Sequence, residues 1–213
     1  MVRDGWVIVT PLCSLVLICL TLNYWVPHTF WGIIAGIAGA FALMIGGFFR
    51  NPNRTIPQGD GLVLSAADGK VVAIRSVDAE PFFNGPATQI SVFLSIFNVH
   101  VNRIPLSGTV TLRQAKPGQY LLAHKSAASD DNEQLTLGIE TEKGRIIVRQ
   151  IVGFIARRIV CHAREGDRVL SGERYGLIRF GSRVDILVPD GTTILAKIGD
   201  RVKGGETILG VMK

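Results

Sequence analysis

Four histidines, three cysteines, several Asp-Gly pairs and one glycine–serine pair are the groups in this 213-residue sequence that could carry chemistry. A metal centre needs ligands at fixed spacings. His28, His100, His124 and His162 form no H-x-H or HExxH pattern, so no metal site is expected. The chain also lacks a GxGxxG turn leading into a helix, a phosphate-binding P-loop and a G-x-S-x-G elbow, which removes the usual signatures of nucleotide binding and of serine hydrolases. A different serine remains. The run Leu177-Ile178-Arg179-Phe180-Gly181-Ser182-Arg183-Val184-Asp185-Ile186-Leu187-Val188-Pro189 sets Gly181-Ser182 between two strand-like segments, where a tight turn could hold the hydroxyl against the preceding carbonyl. Taken alone, the pair reads as an ordinary turn. Asp68-Gly69 likewise reads as a turn between strands, His100 as a core histidine among apolar neighbours, and His124 and His162 as structural.

The elements around these residues are mostly β. Gly69-Lys70-Val71-Val72-Ala73-Ile74, Gln89-Ile90-Ser91-Val92-Phe93-Leu94 and Arg145-Ile146-Ile147-Val148 are short β-rich runs punctuated by Gly, Pro and Asp. Gly166-Asp167-Arg168-Val169-Leu170-Ser171-Gly172-Glu173 returns 33 residues later as Gly199-Asp200-Arg201-Val202-Lys203-Gly204-Gly205-Glu206. Each copy predicts strand, turn, strand. Two copies are too few for a solenoid, and the pattern resembles the paired hairpins of lipoyl-like barrel-sandwich modules. A helical stretch is expected over 148–161, interrupted at Gly153. The fold class expected is therefore mainly β (α+β), a barrel-sandwich domain over 50–213.

Residues 1–49 differ in kind. Arg3 and Asp4 are their only charged side chains, and Trp6–Val26 and Phe30–Phe49 are each about the 20 residues needed to cross hydrocarbon. The short link Val26-Pro27-His28-Thr29, flanked by Tyr24, Trp25, Phe30 and Trp31, predicts a transmembrane helical hairpin with aromatic belts. Gly32-x-x-x-Gly36 is expected to allow close helix approach. Arg3 at one open end and Arg50 and Arg54 at the other put both ends in the cytoplasm by the positive-inside rule. No A-x-A-like site follows the first run, so a cleaved signal peptide is disfavoured. Three cysteines, two of them (Cys13 and Cys19) inside the apolar run, make no disulfide framework and fit a reducing compartment. With 47% hydrophobic and 19% charged residues, a disordered interaction chain is excluded. Arg50 to Lys213 carries 22 basic and 16 acidic residues, so the whole +6 charge lies in the β domain and favours anionic lipid headgroups. Nucleic acid is disfavoured, because no recognition module or aromatic stacking stripe accompanies the charge.

Five separated motifs carry a family resemblance: Phe48-Phe49-Arg50-Asn51-Pro52-Asn53-Arg54, Ala66-Ala67-Asp68-Gly69-Lys70-Val71, Phe97-Asn98-Val99-His100-Val101-Asn102-Arg103-Ile104-Pro105, Asn132-Glu133 and Phe180-Gly181-Ser182. In this order they resemble the phosphatidylserine decarboxylase family, and its compact branch in particular, since Arg183 stands where the longer branch has Thr and Arg103 near the place of a second histidine. The resemblance implies a zymogen that cuts itself between Gly181 and Ser182 into chains 1–181 and 182–213, which stay associated. Ser182 would be nucleophile and source of a covalent pyruvoyl cofactor, His100 the base and later acid, and Asp68 the group that orients the imidazole. The pyruvoyl carbonyl would form a Schiff base with the amine of phosphatidylserine and accept the electrons left by departing carbon dioxide. The expected product is phosphatidylethanolamine, made on the cytoplasmic face of the cell membrane, and a homodimer is left open. The competing expectation, from the paired Gly-Asp hairpins, is a membrane-anchored lipoyl-like binding or adaptor module without catalysis.

Overall fold

A computed structural model of the chain describes all residues except 81, 84, 120–131, 154–157, 180 and 181, and the side chains of 3, 4 and 78–80 are likewise left aside. His124, Phe180 and Gly181, all singled out above, lie outside the described residues. The chain divides into two compact units, Met1–Pro52 and Asn53–Lys213.

The first unit is a helical hairpin. Helices α1 (Arg3–Trp25) and α2 (Thr29–Phe48) are each long and apolar enough to cross a membrane. Pro27 and the non-helical backbone at Val26 and His28 break the run, and the His28 Nδ1 accepts the Phe30 N–H (3.2 Å), capping α2. At the open end the Val2 N–H reaches the Phe49 carbonyl (3.0 Å). Ala35, Ala38, Ala42, Ile45 and Phe48 form the buried stripe of α2. Gly32 and Gly36 do not contribute to it: a side chain at either would meet open space. The close approach expected at those glycines runs along the alanines instead, because their small side chains lie on the packed face.

The second unit is mainly β, as expected. Its strands are β1 (Leu62–Leu64), β2 (Gly69–Glu80), β3 (Gly85–Leu94), β4 (Val101–Arg103), β5 (Gly108–Lys116), β6 (Gln134–Thr141), β7 (Gly144–Val152), β8 (Ile159–Cys161), β9 (Arg168–Val169), β10 (Arg174–Ile178), β11 (Ser182–Pro189), β12 (Thr193–Ile194), β13 (Arg201–Val202) and β14 (Ile208–Val211). Among the described residues, eight of them form an antiparallel sheet in the order β13-β2-β3-β11-β7-β6-β5-β9, curled into a half-barrel. Two smaller sheets, β1-β14-β12 and β4-β10-β8, complete the unit. The stretch 148–161 is strand on either side of residues 154–157, not helix. Its β-branched residues Val148, Ile151 and Val152 are fully buried in a strand that has neighbours on both sides, where branching at Cβ is favoured.

The near repeat has a structural meaning. Gly166 and Gly199 both adopt left-handed backbone (φ 89° and 101°), and Asp167 and Asp200 accept the N–H three residues earlier, from Arg164 and Lys197, at 2.8 Å each. The first copy then exchanges backbone bonds with Val110 and the second with Val71. β9 thereby pairs with the start of β5 at one edge of the large sheet and β13 with the start of β2 at the other, both as short edge strands. At the centre of the sheet lie β11 and β7. Alternate residues Val184, Ile186 and Val188 of β11, Ile90, Val92 and Leu94 of β3 and Val148 and Val152 of β7 point into one core.

Candidate active site

Ser182 opens β11 in the middle of the large sheet, opposite Leu94 of β3 and Val152 of β7. Residues directly opposite in a ladder share a face, so the Ser182 side chain lies on the core face with two fully buried apolar neighbours. It is 0% exposed, and its hydroxyl has no hydrogen-bond partner among the described residues. Stranding a hydroxyl in this way costs about 1–3 kcal/mol. Native proteins tolerate few such groups, and a reactive role is one reason to keep one.

Two neighbouring motifs brace that position. The Asn132 amide donates to the Val152 carbonyl (2.8 Å), and the Val152 N–H reaches the Glu133 carbonyl (3.1 Å), so Asn132-Glu133 fixes the residue paired with Ser182. On the opposite face of β11, Arg183 and Asp185 form a buried two-point ion pair, Nε to Oδ1 at 2.6 Å and Nη2 to Oδ2 at 2.9 Å. Arg183 also reaches Ser91 Oγ (2.9 Å) on β3, and Gln89 donates to the same oxygen (3.0 Å). This polar network pins the strand that begins at Ser182. The sequence alone shows Arg183-x-Asp185 but not Ser91, 92 residues from Arg183 in the chain.

His100 precedes β4. The Ile178 N–H donates to its carbonyl (3.4 Å), which links it to the strand leading toward Ser182, while Leu94, six residues earlier, pairs with Ser182 itself. Its ring is buried, with Nδ1 2.9 Å from the Asn98 carbonyl. A carbonyl can only accept, so Nδ1 carries the hydrogen and Nε2 of the neutral ring holds the lone pair, the tautomer a general base requires. Asn98 is itself fixed, its side-chain oxygen accepting from the Ser95 N–H (2.9 Å) and hydroxyl (2.7 Å). Asn102 on β4 accepts from the Gln150 amide of β7 at 2.8 Å, tying the His100 segment to the central sheet.

Asp68 stands where β2 begins. Arg54 Nη2 donates to both of its oxygens (2.7 and 3.0 Å), the Gly204 N–H adds a third bond (2.8 Å), and Arg54 Nη1 reaches Glu206 (3.4 Å). A Cβ on the next residue, Gly69, would run into the Phe93 carbonyl oxygen, so only glycine lets β2 start there. The second copy of the repeat thus supplies Gly204 and Glu206 to this cluster, a use its sequence did not announce. Arg103 joins it: its N–H donates to the Ala66 carbonyl and its Nη1 to the Gly172 carbonyl, both at 2.8 Å. Burial, then the charges of Arg54 and Arg174, lower the Arg103 pKa, while Asp68 and Glu206 act the other way. Arg103 is three residues from His100, about 10 Å along an extended strand, and so connects the Asp68 cluster to the histidine. Two described clefts, one bordered by Gly59–Gly61 and Glu140–Lys143, the other by Pro189–Thr192 and Met212, include none of Ser182, His100 and Asp68.

Comparison with known proteins adds the chemical context. The family described as phosphatidylserine decarboxylase matches residues 41–210. A phosphatidylserine decarboxylase proenzyme of Symbiobacterium thermophilum is 42% identical over 209 residues, covering 98% of this chain and 94% of that protein. The proenzyme of Geobacter metallireducens is 41% identical over 98% of this chain and 95% of its own length, and that of Syntrophus aciditrophicus 47% identical over 76% and 77%.

Proposed function

The chain belongs to the phosphatidylserine decarboxylase family, and on that premise we propose that it converts phosphatidylserine to phosphatidylethanolamine and carbon dioxide with a carbonyl made from its own Ser182. The observation that carries this reading is the buried, unpartnered Ser182 hydroxyl at the start of β11. A structural serine there would be better replaced by alanine. A pyruvoyl group derived from Ser182 supplies an electron-accepting carbonyl to which the headgroup amine can be joined while carbon dioxide departs.

Ser182 Oγ attacks the Gly181 carbonyl carbon, the C–O bond replaces the C–N bond, and the proton leaves to His100 Nε2. Elimination of the ester frees the Gly181 carboxylate, and addition of one water with loss of ammonia leaves the ketone at the new amino terminus of 182–213. Asp68 acts as a positioning residue through the cluster it holds, its carboxylate fixing Arg54 and the Gly204 N–H, while the Asn98 carbonyl and not Asp68 takes the His100 Nδ1. In decarboxylation the same Nε2 holds the proton that takes the place of the carboxylate on the substrate carbon. The apolar flank of Leu94 and Val152 favours a step in which the substrate gives up its charge as carbon dioxide. The two chains stay together because β11 is bonded to β3 and β7, and β13 and β14 to β2 and β1, all four of those partners belonging to 1–181. The hairpin holds the β domain at the cytoplasmic face, so that a headgroup can be lifted to the site while its acyl chains stay in hydrocarbon. The family match leaves the adaptor reading without support.

The test is Ser182→Ala and His100→Ala, each purified beside the native chain, resolved on a gel and assayed for carbon dioxide release. Both variants are expected to remain single chains without activity. A cut Ser182→Ala chain, or a His100→Ala chain that is both cut and active, overturns the corresponding role.

A further inference from the structure

The turn that holds His100 also presents apolar side chains to solvent. Ile96 is 47% exposed and Phe97 80%, the highest exposure among the described large apolar residues of the β unit. Nothing about the turn is loose. The Asn98 N–H bonds to the Ser95 carbonyl (2.9 Å), and the Asn98 side chain accepts both Ser95 donors, so the polar flanks satisfy one another and the two residues between them are forced outward. Strand β3 enters this turn from Leu94, the partner of Ser182, and the chain leaves it at His100, whose ring is held by the Asn98 carbonyl. From His100 a chain of backbone bonds runs through Ile178 to Arg179, whose N–H donates to the carbonyl of the exposed Arg158 (3.2 Å). An exposed apolar tip on a β domain of net charge +6 is complementary to a bilayer that carries anionic headgroups.

We propose that the 95–98 turn docks into the lipid surface, Ile96 and Phe97 entering the acyl boundary and the basic β domain, with the exposed Arg158, meeting anionic headgroups. This rests on the decarboxylase reading for the identity of the lipid. Docking on the turn presses on the same Asn98 that orients His100, so lipid contact and catalytic geometry share one element.

The test places a single tryptophan on the turn. Phe97→Trp, in the full chain with Trp6, Trp25 and Trp31 changed to phenylalanine, is reconstituted in vesicles of phosphatidylserine and dibrominated phosphatidylcholine, with Leu195→Trp in the same background as the comparison. Quenching by the brominated chains is expected to be several-fold stronger at 97 than at 195. Emission at 97 that is indifferent to brominated lipid, or that changes with protein concentration and not with lipid, overturns the proposal, the latter outcome assigning the turn to a second copy of the chain. This readout does not depend on catalysis and stands whether or not carbon dioxide is released. As a second measurement, Phe97→Ser should lower the ratio of turnover on vesicle phosphatidylserine to turnover on a monomeric short-chain phosphatidylserine by about tenfold, the effect of withdrawing one large aromatic from lipid. Equal losses on both substrates would mean that Phe97 serves the site and not the membrane.

Discussion

If the Ser182 hydroxyl is kept for chemistry, removing it should make the folded precursor more stable. Native Ser182 sits among Leu94, Val152 and Val184, all fully buried, with a hydroxyl that bonds to none of the described residues. Alanine deletes one oxygen and leaves the Cβ in place. The unsatisfied group costs about 1–3 kcal/mol, and the small void left behind returns a fraction of that, so a net gain of about 1–2 kcal/mol is expected. In a chain of this length the gain corresponds to a rise of about 3–6 °C in Tm. Native protein is an unsuitable reference because it is cut, so the comparison is between His100→Gln and His100→Gln/Ser182→Ala, both expected to stay intact. The three tryptophans lie in residues 1–49 and do not report on the β domain. Unfolding of the full chain in detergent is therefore followed by far-ultraviolet circular dichroism. A loss of stability of 1 kcal/mol or more on adding Ser182→Ala would show that the hydroxyl has a partner in the folded chain, and the reasoning from its isolation would fail.

Other consequences are open to the same methods. Asp185→Ala strands the buried Arg183 guanidinium and should cost about 3–5 kcal/mol, whereas Arg183→Met with Asp185→Leu should cost less; denaturant unfolding of the two variants decides it. Burial raises the pKa of Tyr175 well above its usual value and that of the Cys161 thiol less strongly. On raising the pH the unfolded chain therefore loses these protons first, binds fewer than the folded chain, and stability falls above about pH 9–10. Tyr175→Phe should flatten that fall, and a curve unchanged by the substitution would contradict it.

Much of this was legible in the chain. The two apolar helices follow from charge-free runs of membrane length, the mainly β class from short β-rich runs, and two strand-turn-strand units from the Gly-Asp repeat, because each of these signals is local. The misreadings are also local. Gly32-x-x-x-Gly36 has the spacing of a helix seam, but which face packs is set by the partner helix, and the alanine stripe wins. Within the run 148–161, Val148, Ile151 and Val152 take their strand state from β6 and β11 on either side of β7. Around the site, Ser182, His100 and Asp68 were recognisable only as motif members. Their surroundings depend on pairings remote in sequence: Asn132 with Val152, Gln150 with Asn102, Arg183 with Ser91 and Gly204 with Asp68. No spacing rule reaches across such separations, and folding alone makes them neighbours.

The most direct trial is the mass of the shorter fragment from freshly purified, active protein. The account predicts a chain ending at Lys213 whose first residue comes from position 182, lacks an amino group and carries a carbonyl that borohydride reduces with loss of activity. Active protein recovered only as the intact chain, or as a fragment that begins with unmodified serine, would contradict it.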